Sequence, residues 1–93
     1  MWGVFQDASA FNQDILGWNM SSATNASYMF KGANSFNQDL SSWDVSSITK
    51  MISMFYGASS LTGQNLSSWN VSKVIDHTNF DTDWGSGNIS PSW

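Results

Sequence analysis

Apolar and polar positions along this 93-residue chain recur with a step of about 25 residues. Phe5, Phe30 and Phe55 follow one another at intervals of 25 residues, and Trp18 and Trp43 keep the same step. A period in this range is typical of stacked repeats, in which each repeat covers the apolar face of its neighbour. The pattern therefore predicts one domain with a core that runs through successive repeats.

The period divides the chain into five parts. In chain order they are a remnant of a preceding repeat (1–4), coil one (5–28), coil two (29–53), coil three (54–79) and a C-terminal cap or junction (80–93). Coil three is one residue longer near Gly63, which predicts a loop insertion there. Because the remnant is too short to cover coil one, we expect the apolar face of that coil to be exposed.

Each coil is predicted to contain a short strand. Trp43 and Val45 alternate with Asp44, which is typical of a half-buried strand bounded by turn residues. This segment spans 40–45, and its relatives span 15–20 and 66–71.

A short helix is predicted directly after each strand. Ser46 or Ser47 is a suitable N-cap, and Gly57 lies where the end of a helix favours positive φ. The apolar residues between them have helical spacing: Ile48, Met51, Met54 and Phe55, matched in the preceding repeat by Ala23, Ala26, Met29 and Phe30. The predicted fold class is therefore α/β. It is a leucine-rich-repeat-like solenoid of about three strand–helix coils, with a parallel sheet on one side and short helices on the other.

Asn12 and Asn37 occupy the same repeat position, after each predicted helix. Two interpretations are open. The side chains stack as a ladder that satisfies backbone groups of the loop, or they are ordinary surface turn residues.

The composition narrows the possible partners. The net charge is −4, and the only cations are Lys31, Lys50 and Lys73, which argues against nucleic acid and anionic membrane surfaces. No apolar run approaches the roughly 20 residues that a membrane-spanning helix needs. Cysteine is absent, so the chain has neither a disulfide framework nor thiol chemistry.

Coil two carries a specific resemblance. Its matching residues are Met29-Phe30, Gly32-Ala33, Ser35 to Leu40, Ser41 to Val45, Thr49 and Met51. This sequence resembles the repeat of BspA-like leucine-rich-repeat surface proteins, a bacterial surface-protein repeat of about 26 residues. The resemblance covers Phe5 to about Phe80, and coil three departs from it at Leu61 to Asn65. It implies a leucine-rich-repeat-like solenoid, secreted or at the cell surface, that serves adhesion or protein interaction.

Few residues indicate catalysis. His77 is the only histidine, and it replaces a methionine that we expect to face the core, where packing or capping is commoner than catalysis. Asp14 and Asp39 lie one coil apart, but solvated loop residues are a better interpretation than a pair of catalytic carboxylates. We therefore predict no enzyme activity and no cofactor.

A polar stretch near the C terminus weakly resembles a calcium-binding loop. Its oxygen-bearing residues are Asp76, Asp81, Asp83 and Asn88, with Gly85 and Gly87 between them. The EF-hand spacing is incomplete and lacks the terminal glutamate, so a polar capping turn is the favoured interpretation and no metal site is predicted.

Surface residues offer two further possibilities. Possible glycosylation sites are the five Asn-X-Ser/Thr sequons at Asn19, Asn25, Asn65, Asn70 and Asn88, although a chain rich in Asn and Ser also produces sequons by chance. A possible interaction face on the outer side of the sheet consists of Asn19, Ser42, Asp44, Ser46 and Asn70. The tryptophans at 18, 43 and 69 are expected in the core, with an outward row that stacks on sugars as the alternative.

Two functions follow from these expectations. The first is a non-catalytic extracellular or cell-surface module that mediates adhesion or binds a protein or glycan. The alternative is a structural subunit that stacks on copies of itself into a filament or surface layer, with Phe5, Phe11, Trp84 and Trp93 at the junction.

Overall fold

The backbone of each repeat passes through consecutive tight turns. In the computed structural model, which describes residues 2–15 and 17–93, these residues contain no α-helix and no extended strand. Their longest runs of turn are 2–7, 27–32, 52–57 and 78–83. Bridge pairing in this part of the chain is limited to three isolated parallel bridges: Asn25 with Lys50, Lys50 with Asp76, and Asn65 with Ile89. Met1 of the predicted remnant and Leu16 of the first predicted strand lie outside the described residues.

The predicted α/β class is therefore wrong, and the backbone angles of the turns explain why the described residues form no helix. Tyr28 and Ser53 have φ of 62° and 52°, and the glycines four residues later, Gly32 and Gly57, have φ of 71° and 72°. A right-handed helix requires negative φ at every residue. Each predicted helix is thus interrupted at a residue that is not glycine, and the segment closes as successive turns.

Backbone hydrogen bonds in these turns link one repeat to the next. The N–H groups of Ala26, Tyr28, Phe30 and Gly32 donate to the carbonyls of Lys50, Ile52, Met54 and Tyr56 at 2.8–2.9 Å. The N–H groups of Met51, Ser53, Phe55 and Gly57 donate in the same way to Asp76, Thr78, Phe80 and Thr82 at 2.8–3.0 Å. The amides that a helix would use within itself therefore bind the neighbouring repeat.

The predicted strand is also wrong, although its in–out alternation is correct. Trp43 and Val45 are buried, and Asp44 between them is exposed. Within the described residues, however, no backbone N–H of 41–47 donates to an adjacent repeat. The tryptophan side chains make the connection, because Nε1 of Trp43 donates to the carbonyl of Ile15 at 3.2 Å. Nε1 of Trp69 likewise donates to the carbonyl of Leu40, at 2.9 Å.

The core lies along the stack of repeats. The ring of Phe30 stacks between those of Phe5 and Phe55, with centroid distances of 5.5 and 5.4 Å. The apolar residues of the second predicted helix are fully buried: Ile48, Met51, Met54 and Phe55. The Cα radius of gyration is 11.6 Å, close to the roughly 12 Å of a compact chain of this length. The protein is thus a compact globule of stacked turns, not a solenoid with a sheet and a helical layer.

The asparagine ladder is confirmed. Oδ1 of Asn12 accepts the backbone N–H of Asn37 at 2.8 Å, and Oδ1 of Asn37 accepts the backbone N–H of Thr62 at 3.2 Å. These side chains satisfy loop amides where the backbone itself makes no bond between repeats.

Candidate interaction surface

Three exposed side chains at one repeat position are each hydrogen-bonded to the backbone. Asn19, Asp44 and Asn70 are exposed, and they lie 25 and 26 residues apart. In each, Oδ1 accepts the backbone N–H of the serine two residues later, at 3.0, 3.0 and 3.1 Å respectively. This is the Asx turn, which fixes both the backbone bend and the direction of the side chain. We call these three residues the Asx row.

The same turn lowers the pKa of three aspartates. The hydroxyl and then the backbone N–H of Ser46 donate to Asp44, which lowers the pKa of that carboxyl. Thr78 lowers the pKa of Asp76 in the same way. For Asp39, the backbone N–H of Ser41 is the larger cause of a lowered pKa, and the hydroxyl of Ser41 is the smaller.

The predicted interaction face lies beside these turns. Ser42, Asp44, Asn19 and Asn70 are exposed, and Ser46 is half-buried. Because the described residues form no sheet, the face is an edge of successive turns and not the outer side of a sheet. The tryptophans at 43 and 69 are buried beneath this edge, as the core interpretation predicted, whereas Trp18 is 39% exposed.

The Asn-X-Ser/Thr sequons have a structural role that sequence reasoning missed. Four of the five asparagines accept the N–H of the serine two residues later: Asn19, Asn25, Asn65 and Asn70. Asp39, Asp44 and Asp76 make the same bond within Asp-X-Ser/Thr. The sequence feature that could have revealed this turn is that Asn-X-Ser/Thr segments alternate with Asp-X-Ser/Thr segments along the chain. Neither chance nor glycosylation would favour this exchange of Asn for Asp, whereas a turn that needs only a side-chain oxygen does.

Asn88 differs from the other sequon asparagines. Its Nδ2 donates to the carbonyls of Leu61 and Gly85 at 2.7 and 2.8 Å, and its Oδ1 accepts the N–H of Gln64 at 2.9 Å. The amide nitrogen that a glycan would modify is thus engaged in holding residues 80–93 to coil three.

The residues considered for catalysis or metal binding are dispersed. His77 is exposed rather than directed at the core, and its ring stacks on that of Trp93 at 3.9 Å. Oδ1 of Asp76 accepts the backbone N–H of Thr78 at 3.1 Å, and Oδ2 of Asp81 accepts the hydroxyl of Ser90 at 2.7 Å. Across 2–15 and 17–93, no group of three or more His, Cys, Asp or Glu side chains has an arrangement that could hold a metal ion, and no pocket is found.

The two ends of the stack differ. At the first end, which we call the N-terminal end, Trp2, Val4 and Trp18 are 60%, 45% and 39% exposed, and Phe5 and Phe11 are half-buried. The equivalents of these residues in the next repeat are buried: Met29 for Val4, Phe30 for Phe5, Phe36 for Phe11 and Trp43 for Trp18.

The opposite end is partly covered by the chain itself. The ring of Trp84 is half-buried and lies 6.0 Å from that of Phe55, and Trp93 lies 5.0 Å from Phe80. Trp84 and Trp93, which the sequence placed in a cap or at a junction between copies, make these contacts within their own chain, and Trp93 is still 45% exposed.

One comparison with known proteins identifies a relationship. A family model described as "Mycoplasma protein of unknown function, DUF285" matches residues 1–89. No curated protein and no solved structure matches the chain. In the described residues, no helix is both long enough and apolar enough to cross a membrane.

Proposed function

We propose that this chain, which belongs to the DUF285 family, is a non-catalytic repeat module that mediates adhesion or protein interaction outside the cell. The observation that carries the proposal is the Asx row. Asn19, Asp44 and Asn70 present similar polar groups at one edge of three successive repeats. Their Asx turns fix these groups in advance, so that little side-chain entropy is lost on binding.

The spacing of the row favours a repetitive partner. Equivalent groups on adjacent repeats offer several weak hydrogen bonds to one ligand, and such contacts gain strength when they act together. An oligosaccharide or an extended segment of a protein presents hydrogen-bonding groups in this way. The resemblance to BspA-like surface repeats supports an extracellular or cell-surface location, which stays a prediction.

Binding to arrays of immobilised glycans and purified extracellular-matrix proteins tests the proposal. We expect saturable binding that Ser42→Arg weakens by about tenfold, because a bulky cation beside Asp44 blocks the row. Ser42 is exposed and makes no side-chain hydrogen bond among the described residues, so this change should leave the fold intact.

Ser35→Arg is the matched control. Ser35 is an exposed serine of the same repeat in a different turn, and its replacement adds the same charge and volume. Binding should survive Ser35→Arg. Failure to bind any member of either array, or equal binding by the two variants, would overturn the proposal.

A second candidate function is a structural subunit that stacks end to end. The observation that favours it is the N-terminal end, where Val4 and Trp18 are exposed although their equivalents in later repeats are buried. A head-to-tail contact that does not close on itself generates filaments. Size-exclusion chromatography and negative-stain microscopy test this candidate, and a strict monomer at every concentration would contradict it.

A further inference from the structure

The N-terminal end presents a row of carbonyl groups without donors. In later repeats, the carbonyls of Ile52, Met54 and Tyr56 accept N–H groups from the repeat before. The equivalent groups in the first repeat are the carbonyls of Trp2, Val4 and Gln6, and no donor within the described residues reaches them. An edge of unpaired backbone groups is a template for another chain.

The opposite end presents the complementary row of donors. The N–H groups of Ser53, Phe55 and Gly57 donate to the repeat that follows. Their equivalents, one repeat later, are the N–H groups of Asn79, Asp81 and Asp83, and among 2–15 and 17–93 nothing accepts from these three. One end of the molecule thus presents backbone N–H donors at every second residue, and the other end presents carbonyl acceptors with the same spacing.

We propose that a second copy of this chain docks head to tail. Asn79, Asp81 and Asp83 of one copy donate their backbone N–H groups to the carbonyls of Trp2, Val4 and Gln6 of the other. The contact continues the bonding that already links the repeats inside each chain, where each N–H reaches the carbonyl 24 or 25 residues later. It also covers Val4, which is 45% exposed. The inference deepens the second candidate function and rests on it.

The side chains at this contact oppose it at neutral pH. The register of the bonds aligns Asp83 with Asp7 and Asp81 with Phe5, just as Gly57 aligns with Gly32 and Phe55 with Phe30. Within one stack the aligned rings are 5.4 Å apart, and Oδ1 of Asp7 lies against Gly32 of its own chain, so the negative charges of Asp7 and Asp83 would stand about one repeat spacing apart. Like charges at such a distance repel, and an inward-pointing charge is a known device against edge pairing. We therefore expect the affinity between copies of the native chain to be low, because these carboxylates repel one another.

Sedimentation of the whole chain over a wide concentration range tests the inference. We expect weak association that strengthens with added salt, because salt screens the repulsion between carboxylates. The double variant Asp81→Asn, Asp83→Asn should associate about tenfold more tightly, since Asn keeps the hydrogen-bonding oxygen and tolerates the positive φ of position 83.

A charge placed at the acceptor end should abolish the association. Val4→Asp adds a carboxylate at an exposed position of the N-terminal end, and Ser35→Asp adds the same charge at an exposed position of the middle repeat. Only Val4→Asp should prevent association of the double variant. Thermal melting of both variants verifies that the fold is retained.

The outcomes distinguish failure of this interface from failure of the end-to-end assembly function on which it rests. Association that survives Val4→Asp, or that Ser35→Asp abolishes equally, would overturn this interface while leaving end-to-end assembly in place. A double variant that stays monomeric at every concentration would overturn both the interface and the assembly function.

Discussion

At the scale of single residues, the turns depend on backbone angles that most side chains avoid. Asp7, Tyr28, Ser53, Asn79 and Asp83 hold φ between 52° and 62°. The left-handed region costs roughly 1–2 kcal/mol for a residue with a Cβ. At Asp7, Tyr28 and Ser53 the amide of the positive-φ residue itself donates to the next repeat, so hydrogen bonds between repeats offset that cost in these three turns.

Two glycines separate the effect of positive φ on stability from the effect of steric contact. A Cβ at Gly63 or at Gly17 would meet no atom within 4 Å, but only Gly63 has positive φ, at 66°. We expect Gly63→Ala to lower the free energy of unfolding by about 1 kcal/mol, and Gly17→Ala to change it little. Urea denaturation measures both, and equal effects of the two substitutions would contradict the backbone explanation.

The Asx turns predict how stability depends on pH. Asp39, Asp44 and Asp76 have a lowered pKa in the folded chain, so their contribution is present above the unfolded value of about 3.9 and is lost as the pH falls through the folded values. We expect the melting temperature to fall on acidification below about pH 4.

Replacement of these three aspartates by asparagine should flatten that fall, because Asn supplies the same acceptor oxygen without titrating. The reverse change, Asn70→Asp, adds a titrating group to an equivalent turn and should steepen it. Melting curves measured across the acid range check both, and an unchanged profile in the triple variant would show that other groups govern the acid response.

At the scale of elements, the indole N–H groups replace a backbone ladder. Trp43 and Trp69 are 5% and 4% exposed, and each donates to a carbonyl of the repeat before it. Trp18 makes no such bond to any described residue and is 39% exposed. The same residue type therefore makes an indole hydrogen bond between repeats at two positions, whereas Trp18 contacts only the ring of Phe5, at 5.3 Å, among the described aromatic rings.

Substitution by phenylalanine separates these roles. Trp69→Phe removes a buried bond of 2.9 Å and some buried volume, so we expect it to lower the free energy of unfolding by about 1–3 kcal/mol. Trp18→Phe should have a much smaller effect. Denaturant titrations of the two variants measure the difference, and equal losses would mean that the indole bond contributes little.

The repeat period and most of the core could be predicted from the sequence, whereas the elements could not. Met51, Met54 and Phe55 are buried as expected, because spacings of three and one bring residues to one side both in a helix and in successive turns. The spacing therefore could not separate these alternatives. Positive φ at Tyr28 and Ser53 distinguishes successive turns from a helix, and neither Tyr nor Ser indicates positive φ in a sequence. In the interaction surface, the exposed residues were predicted, but the Asx turns beneath the sequons were not.

At the scale of the whole molecule, residues 80–93 pack along coil three through a position that only glycine can occupy. A Cβ at Gly85 would collide with the carbonyl oxygen of Leu61. The N–H of Gly85 also donates to the carbonyl of Ala58 at 3.1 Å. The segment continues along coil three, where the N–H of Leu66 donates to the carbonyl of Ile89 at 3.0 Å.

Gly85→Ala should therefore release this segment. We expect faster hydrogen exchange at the amides of Leu66 and Ile89, with little change at Tyr28 in the distant second turn. Exchange measured by NMR checks this, with Gly17→Ala as the control for an alanine that meets nothing. Unchanged protection at both amides would show that the backbone accommodates the added methyl group.

The bonds between repeats have a consequence for how the chain folds. Each one joins residues about 25 positions apart, and residues 2–15 and 17–93 contain no helix or hairpin that could form first as a local nucleus. The entropy of closing a loop of that length must be lost before any of these bonds can form. A single repeat cut from the protein would thus be a disordered peptide, and the first productive event in folding is the meeting of two neighbouring repeats.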